Sequence, residues 1–444
     1  MSKDNEYIHT VTINKKRCIG CTRCLRVCPT KALRIRNGKA MILQDRCIDC
    51  GECIRVCPQK AIYSKIDDLD IINNYTHKLL VYSSVLIGQF EKYKNFKKIL
   101  NLMSYLGFDE IVGVDIGALI ISDVIRSFLK HNRDKTYITT NCPAVVRLIQ
   151  VKYPSLIDNM LPFKNMMDVA GEYLKKEYIK NHNVKEKNIG LFYLSPCPAK
   201  AEAVYQPEGE VKRIFDGVFS MEEVYNNLRY IMEKKDIHLD RDIELENVTE
   251  SSLKWSTMGD VDNQFKDFTS LRIDGIDNVI EFLEEIEEGD FKDIDLVDMY
   301  SCQNGCVGGV FTNENPFVCE HRIRHIASNF PETVDEIPPI CEGDYCSLSK
   351  PLKPRPVEPI DKNMSNAVKK MKEIEEVFKK LPKLNCSICG SPTCYNLAED
   401  IVLNDDVSIY DCPVVLRRNL RNMAKDLFEM AGRTDPIEEK KDKD

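Results

Sequence analysis

Four cysteines stand in three short motifs that are far apart in the chain. The motifs are TTNCPA at 139–144, SPCPAK at 195–200 and SCQNGC at 301–306, and they supply Cys142, Cys197, Cys302 and Cys306. A run of β-type residues precedes each one: YIT (137–139), IGLFYL (189–194) and IDLVDMY (294–300). Because the carboxyl ends of parallel strands lie on one side of a sheet, these ends can converge on one crevice. Four converging thiolates predict a metal or cluster site.

Two other cysteine runs form an internal repeat near the N-terminus. Residues 18–29 read CIGCTRCLRVCP and residues 47–58 read CIDCGECIRVCP, each with the spacing C-x2-C-x2-C-x3-C-P. This is the bacterial two-cluster ferredoxin pattern, in which the fourth cysteine of each run ligates the other cluster. It assigns one [4Fe–4S] cluster to Cys18, Cys21, Cys24 and Cys57, and the other to Cys47, Cys50, Cys53 and Cys28. Zinc is disfavoured, since its sites usually pair C-x2-C knuckles.

The three scattered motifs resemble the signature motifs of the [FeFe]-hydrogenase catalytic domain, in the same order. The resemblance covers roughly residues 1–330 and, in a different form, the C-terminal segment. It implies that Cys142, Cys197 and Cys302 hold a [4Fe–4S] cubane. Cys306 would bridge this cubane to a diiron subsite that carries CO, CN and a dithiolate. It also implies that Lys200 lies against a cyanide of the distal iron, where a fixed cation offsets negative charge.

A fourth cysteine set lies near the C-terminus, in NCSICGSPTCYNLAEDI and a later DCP. Its members, Cys386, Cys389, Cys394 and Cys412, have the spacing C-x2-C-x4-C-x17-C. The set resembles the small [4Fe–4S] domain of corrinoid iron–sulfur proteins and of sensory [FeFe]-hydrogenases. A C-terminal [4Fe–4S] cluster is therefore predicted, with zinc as the alternative.

The chain departs from the catalytic family members at the proton-transfer positions. Those members place a proton-donating cysteine directly before the first cluster ligand, where this chain has Asn141. A carboxamide has no proton to give near neutral pH. On the predicted helix 116–130, Ile121 and Val124 match the family's relay glutamates, and Asp123 is the only acid. Ser195 and Tyr300 stand where methionine is frequent, which would make the pocket more polar.

Alternating strand and helix patterns begin at about residue 71 and predict parallel sheets covered by helices. Predicted strands are 78–87, 109–114, 135–139, 189–194, 211–215 and 294–300. Predicted helices are 89–107, 116–130, one opened by Pro143, 164–179, 220–233, 275–288, 361–381 and 414–432. The family fold places two such α/β lobes on either side of the cluster.

The predicted fold class is α/β, with a two-cluster ferredoxin domain, a two-lobed parallel α/β hydrogenase domain and a small helical C-terminal iron–sulfur domain. The predicted boundaries are a ferredoxin-like domain at 1–70, a hydrogenase domain at 71–335, a proline-rich linker or wrap at 336–360, a helix plus iron–sulfur domain at 361–432 and a charged tail at 433–444. Within these segments, Cys341 and Cys346 are expected to be spare thiols.

Composition limits the location and the partners. Hydrophobic residues make up 43% of the 444 residues and charged residues 30%, which predicts a soluble protein. No apolar run approaches the ~18 residues of a membrane span, and MSKDNEYIHT lacks a signal-peptide core. A cytoplasmic location is expected, with the 19 cysteines reduced and available as ligands. Residues 1–65 carry fourteen Lys and Arg against five Asp and Glu, which suits an acidic redox partner such as a ferredoxin rather than nucleic acid.

These features predict a sensory or low-activity [FeFe]-hydrogenase that acts on H2 and protons. It would need hydrogenase maturation proteins and would pass electrons to a ferredoxin or a signalling protein. One alternative is a divergent catalytic, ferredoxin-linked hydrogenase; another is a non-catalytic iron–sulfur scaffold or electron-transfer protein. The apolar seam of Met364, Ala367, Met371, Ile374, Phe378 and Leu381 predicts either a homodimer helix or packing on the protein's own surface.

Overall fold

The computed structural model describes residues 8–90, 96–234, 248–258, 265–291, 293–334, 345–404 and 406–432. The strands are β1 (Val11–Ile13), β2 (Leu33–Arg36), β3 (Lys39–Ile42), β4 (Ile62–Ser64), β5 (His77–Tyr82), β6 (Glu110–Gly113), β7 (Tyr137–Ile138), β8 (Ile189–Ser195), β9 (Gly217–Ser220), β10 (Ser270–Asp274) and β11 (Leu296–Tyr300). The α-helices are α1 (Arg23–Val27), α2 (Glu52–Arg55), α3 (Val85–Gly88), α4 (Phe96–Ser104), α5 (Val114–Leu129), α6 (Pro143–Lys152), α7 (Met166–His182), α8 (Pro198–Tyr205), α9 (Met221–Lys234), α10 (Glu250–Lys254), α11 (Ile276–Glu288), α12 (Pro316–Ala327), α13 (Met364–Lys380), α14 (Cys394–Leu403) and α15 (Pro413–Met430).

The chain divides into two compact units. The first unit contains Met1–Thr12, Gln44–Arg55 and Ile62–Pro356. The second unit contains Ile13–Leu43, Val56–Ala61 and Val357–Asp444. Each unit therefore includes part of the N-terminal cysteine repeat.

A four-stranded parallel sheet forms one lobe of the first unit. Its strand order is β6-β5-β8-β9, and Leu79 of β5 is in register with Leu191 of β8. Every residue of β8 is buried, because helices cover a parallel sheet on both faces and its strands become continuous apolar runs. Helices α5 and α7 pack against each other in the same core.

A three-stranded parallel sheet forms the other lobe of the first unit. Its order is β10-β11-β7, with Val297 of β11 in register with Ile138 of β7. Leu148 of α6 and Leu283 of α11 are fully buried in the core beside this sheet. The two parallel sheets confirm the predicted α/β class and its two lobes, and the predicted strand ends before Cys142, Cys197 and Cys302 exist.

The second unit combines a β-hairpin with the C-terminal helices. Strands β2 and β3 are antiparallel, with Ile35 paired to Ala40. Their turn is Asn37–Gly38, where φ is 51° and 69°, as the tight two-residue hairpin turn requires. The helices bury a separate core around Ile374, Leu397, Ala398 and Val415.

The apolar seam of α13 divides into two parts. Ile374 and Leu381 are buried in the core of the second unit, whereas Met364 and Met371 are 79% and 50% exposed. The C-terminal part of the seam therefore packs on the protein's own surface. Formation of a homodimer stays a prediction.

Residues 345–356 run along the first unit without forming a helix or strand. The backbone amides of Leu348, Lys350 and Arg355 donate hydrogen bonds to the carbonyls of Pro162, Gly209 and Gln150, at 2.9, 2.8 and 3.0 Å. These contacts support a wrap rather than a free linker. Cys346 is buried there, while Cys341, the rest of the proline-rich segment before residue 345 and the tail at 433–444 lie outside the described residues. The predicted domain boundaries stay predictions.

Two strand predictions are wrong. Residues 211–215 form no strand, and β9 begins at Gly217, because the apolar pattern of VKRIF continues into the fully buried segment GVFS. The predicted strand 78–87 ends at Tyr82, and Val85–Gly88 form the short helix α3 instead. An apolar run by itself does not distinguish a buried strand from a buried helical turn.

The helix predicted at 116–130 begins earlier, at Val114, and therefore includes Asp115. Asp115 is 2% exposed, and its Oδ1 has no hydrogen-bond partner in the described part of the chain. Burial raises the pKa of this carboxyl to about 6, because the charged form loses its hydration. Asp123, the acid predicted on this helix, is exposed and pairs with Arg126 at 3.2 Å.

No helix in the described ranges combines the length and the apolar character needed to cross a membrane.

Replacing Asp115 with Asn is expected to change how stability depends on pH. The folded pKa is raised, so the native state keeps its proton longer and wild-type stability falls as the pH rises from about 4 through 6. This loss is about 1 kcal/mol between pH 5 and 7, at 1.36 kcal/mol per pKa unit. Chemical unfolding should be measured at pH 5 and at pH 7. Between these pH values, the free energy of unfolding of Asp115→Asn should fall by about 1 kcal/mol less than that of wild type.

The matched control is Asp123→Asn, which changes an exposed acid on the same helix. It should follow wild type at both pH values. Identical pH dependence in Asp115→Asn and wild type would show that Asp115 is ionised throughout this range.

Candidate functional site

The three strand ends deliver their cysteines to one pocket in the first unit. Cys142 is the N-cap of α6 and Cys197 the N-cap of α8, each followed by proline at the first helical position, which favours a helix start. Cys302 and Cys306 follow β11, where a 3-10 turn covers Gly305–Gly308. All four thiols line the same pocket, together with Lys200, Tyr300 and Cys50. The structure thus brings together the four cysteines of the predicted site.

Burial disfavours the thiolate form of Cys197, Cys302 and Cys306. Burial first, and then the neighbouring Cys306 thiol, raise the pKa of Cys197 to about 12. Burial and the thiols of Cys197 and Cys142 raise the pKa of Cys302 well above its ordinary value. Because thiolates are the form that binds metal, four converging thiols, three of them with raised pKa values, match a donor set that ionises when iron binds. The residues present therefore fit an iron–sulfur group.

Lys200 lies in the first turn of α8 and is 4% exposed. Burial favours the neutral amine, but the Tyr193 hydroxyl and the thiols of Cys306 and Cys197 raise the pKa of Lys200 above its ordinary value. The ammonium is therefore a fixed cation at the wall of the pocket. The role that the resemblance implies for Lys200, beside a cyanide of a distal iron, stays a prediction.

Asn141 is buried directly before Cys142 but does not line the pocket. Its Nδ2 donates a hydrogen bond of 3.1 Å to Oδ1 of Asp298, a residue of β11 that is 1% exposed. The carboxamide is thus held by a neighbouring strand.

Asp298 is the centre of a buried polar network that the sequence analysis missed. Its carboxylate also accepts hydrogen bonds from Arg272 Nη2 at 2.8 Å, from Tyr300 Oη at 3.0 Å and from the Thr139 hydroxyl. Arg272 Nη1 donates to the carbonyl of Thr257 at 2.7 Å. An acid inside the apolar run LVDMY was the available signal, since buried carboxylates require partners.

The second N-terminal triplet lies beside the same pocket. Cys50 lines it, and Arg55 Nη2 donates to the Gly308 carbonyl at 2.5 Å. Asp49 accepts hydrogen bonds from the backbone amides of Thr10 and Val11 and lies 2.6 Å from His9 Nδ1. Burial opposes ionisation, yet the hydrogen bond and charge of His9 lower the pKa of Asp49. These contacts tie the loop of Cys47, Cys50 and Cys53 to the first unit.

The second unit brings together the ligand set of Cys18, Cys21, Cys24 and Cys57. Burial first, and then the thiols of Cys21, Cys18 and Cys57, raise the pKa of Cys24 to about 12, so these four lie close together. Backbone amides donate to the sulfurs of Cys18 and Cys57, from Ala40 at 3.3 Å and Ala61 at 3.2 Å. Such hydrogen bonds tune cluster potentials. Cys28 belongs to the second unit and Cys47, Cys50 and Cys53 to the first, so their shared ligation stays a prediction.

The C-terminal cysteines also converge within the second unit. Burial, together with the thiols of Cys412, Cys386 and Cys394, raises the pKa of Cys389. Cys394 begins α14, and Cys412 is the N-cap of α15 and is followed by Pro413. The same Cys-Pro helix start therefore occurs at Cys142, Cys197 and Cys412.

The remaining described thiols serve in packing. Cys319 is fully buried and its sulfur accepts a hydrogen bond of 3.2 Å from Gln89 Nε2. The carbonyl of Cys346, which is also buried, accepts a hydrogen bond of 2.8 Å from the amide of Lys164.

Three protein-family models match the chain. Residues 81–259 match "Iron only hydrogenase large subunit, C-terminal domain", and residues 10–58 match "4Fe-4S dicluster domain". Residues 381–414 match "Putative Fe-S cluster". These matches support iron–sulfur cofactors in all three regions.

Two curated proteins are similar over part of the chain. Iron hydrogenase 1 of Clostridium pasteurianum is 27% identical over 251 residues, which cover 50% of this chain and 44% of that protein. The uncharacterized protein MJ0119 of Methanocaldococcus jannaschii is 38% identical over 61 residues, 14% of this chain and 27% of that protein. The matches thus span less than half the length of either relative.

A solved structure shares the fold. The [FeFe]-hydrogenase HydA1 of Chlamydomonas reinhardtii aligns with 66% of this chain and 97% of its own, at a TM-score of 0.50 and 15% identity. At this identity the likeness shows the hydrogenase-like fold alone. Taken with the family models and the four convergent cysteines, it supports an [FeFe]-hydrogenase-like family for this chain.

Proposed function

We propose that this protein is a sensory or low-activity [FeFe]-hydrogenase, which binds H2 and couples its oxidation to iron–sulfur electron transfer. The observation that carries the proposal is the combination of two features at one site. Four thiols and a buried ammonium line the pocket, while the residue before Cys142 is a carboxamide turned to Asp298. The residues that would bind the metal group are present, whereas the proton-donating cysteine of the catalytic family members is replaced by Asn141.

The pocket residues have distinct roles in this proposal. Cys142, Cys197 and Cys302 hold a [4Fe–4S] cubane, and Cys306 joins it to a diiron subsite with CO, CN and dithiolate ligands. When bound, this group supplies the iron that binds and splits H2. Lys200 contributes a fixed positive charge beside the anionic ligands, in a pocket where burial strengthens electrostatic attraction.

The proton side of the site explains the low turnover. The Asn141 amide has no titratable proton near neutral pH, and its partner Asp298 is occupied by a hydrogen bond of 2.8 Å from Arg272 Nη2. On α5, Ile121 is buried and Val124 is apolar, so neither relays a proton. Losing general acid–base help commonly costs ~10²–10⁴ in rate.

Electron transfer uses four [4Fe–4S] clusters in this proposal: two from the N-terminal repeat, one in the pocket and one at the C-terminal set. The redox partner is a ferredoxin or a signalling protein, and maturation proteins insert the diiron subsite. The basic N-terminal segment attracts an acidic partner by long-range electrostatics. In this proposal, the protein is cytoplasmic.

One observation favours the rival candidate, a divergent catalytic hydrogenase. Asp168 of α7 is buried, and burial first, then Glu210 and Glu172, raise its pKa to about 8, while Lys164 and Lys200 lower it. A carboxyl that titrates near neutral pH within the field of Lys200 is suited to general acid–base work. Asp168→Asn separates the candidates: it lowers H2 turnover only if protons travel through Asp168.

Asn141→Cys is expected to raise H2 turnover by ~10²-fold, because it introduces a proton donor worth ~10²–10⁴ in rate. The measurement is H2 oxidation and proton reduction by anaerobically matured protein, with infrared CO and CN bands to quantify the diiron subsite. Asn141→Ala is the matched control and should give no gain at equal diiron content. A fast wild-type enzyme, or an absence of CO and CN bands after maturation, would overturn the proposal.

Lys200→Met is expected to weaken retention of the diiron subsite by ~10-fold or more. The reason is the loss of a buried charge-assisted interaction, worth about 1.5–3 kcal/mol. Infrared spectroscopy should show weaker CN bands while the iron bound by the cubane is unchanged. Lys200→Arg keeps the charge and should retain more of the subsite; equal band intensities in Met, Arg and wild-type proteins would exclude the electrostatic role.

A further inference from the structure

In the second unit, one cross-strand residue pair of the β2–β3 hairpin contacts the loops of two cysteine sets, that of Cys18 and that of Cys386. Ile35 of β2 is paired with Ala40 of β3. The amide of Ala40 donates to Cys18 Sγ at 3.3 Å, while the amide of Ile35 donates to the Gly390 carbonyl at 2.8 Å. Gly390 directly follows Cys389. One rung, about 5 Å wide, therefore separates the two cysteine loops.

Two further contacts bring the same loops together. Arg26 of α1, the helix that carries Cys24, donates from Nη2 to the Cys386 carbonyl at 3.3 Å. Gly390 has a φ of +84°, and a Cβ there would lie 2.3 Å from the Ile35 carbonyl oxygen. Only glycine permits so close an approach of the two backbones.

A buried ion pair holds the hairpin against the C-terminal domain. Arg34 is 2% exposed, and its Nε lies 2.9 and 2.7 Å from the two carboxylate oxygens of Asp400 on α14. Arg36 Nη2 and the Ser391 hydroxyl also donate to Oδ2 of Asp400, at 2.6 and 2.5 Å. Since a buried charge without its partner costs several kcal/mol, this contact strongly favours one arrangement of hairpin and helix.

We propose that the Cys386 set and the Cys18 set form one electron-transfer pair, with the β2–β3 hairpin as the bridge between their clusters. One electron leaves the reduced cluster and enters the oxidised one, with no bond formed or broken and no proton moved. The electrons come from H2, which yields two electrons and two protons, or from dithionite in the test.

The physical basis is distance and sulfur hydrogen bonding. Tunnelling between metal centres falls steeply with separation, and here hydrogen bonds connect the two ligand loops through a single strand pair. The Ala40 amide also stabilises the more negative, reduced state at Cys18. The inference rests on the proposed cluster ligation but does not require the diiron subsite.

The test is electron paramagnetic resonance of the full-length, anaerobically matured protein reduced with dithionite. Two nearby paramagnetic clusters should give split and broadened signals with fast relaxation. Cys389→Ala should lose the C-terminal iron and the splitting that this cluster causes, leaving only the coupling between the Cys18 and Cys47 clusters. Cys21→Ala should leave an unsplit signal from the C-terminal cluster. Splitting in Cys389→Ala equal to that of wild type would overturn the inference. Cys306→Ala, a ligand change in the first unit, is the control and should keep the splitting. Unsplit signals in wild type, or zinc at the Cys386 set, overturn the inference.

A second variant tests the bridge without removing a ligand. Asp400→Asn breaks the ion pair with Arg34, and the splitting should diminish at unchanged iron content. Glu376→Gln, which removes an exposed ion pair with Lys379 in the same unit, is the matched control and should behave as wild type. Full splitting in Asp400→Asn would overturn the role of the hairpin. Splitting in a protein without CO and CN bands would refute the proposed function alone, and bands without splitting would refute this inference alone.

Discussion

The structure depends on four partly buried cysteine thiols that line one pocket. Cys142, Cys197, Cys302 and Cys306 come from three strand ends, and burial keeps at least three of them protonated in the absence of a cation. Thiolates that lie this close repel one another once ionised, and an iron group bound there, as proposed, would supply the compensating positive charge. The two parallel sheets of the first unit serve this convergence, because parallel strands end on the same side of their sheet.

Lys200 lines the pocket, whereas Asn141 and Asp298 belong to a separate hydrogen-bond network beside it. The pKa of Lys200 is raised by the acidic groups around it, Tyr193 and the pocket cysteines, although burial opposes the charge. Asn141 is held by Asp298, which in turn is held by Arg272. This hydrogen-bonded network fixes a neutral side chain directly before the first cysteine of the pocket. The proposed loss of a proton donor depends on this arrangement.

Sequence patterns correctly predicted the strands that precede the pocket cysteines. They gave wrong secondary structure where tertiary packing selects between a strand and a helix. The runs before Cys142, Cys197 and Cys302 are strands, as expected from their β-type residues. Residues 211–215 and 85–88 were assigned wrongly, because an apolar run is compatible with strand or buried helix. Asp115 was missed because helix boundaries are uncertain by a few residues, and its raised pKa arises only from burial.

The sequence by itself determined the donor chemistry: cysteine spacing specifies the iron–sulfur pattern, and position 141 carries an amide without a titratable proton whatever the fold. Tertiary structure alone decided which side chains face one another. The pairing of Asp298 with Arg272 and Asn141, and of Arg34 with Asp400, joins residues 26, 157 and 366 positions apart. No local pattern encodes such contacts, because they follow from strand order and packing rather than from sequence neighbours.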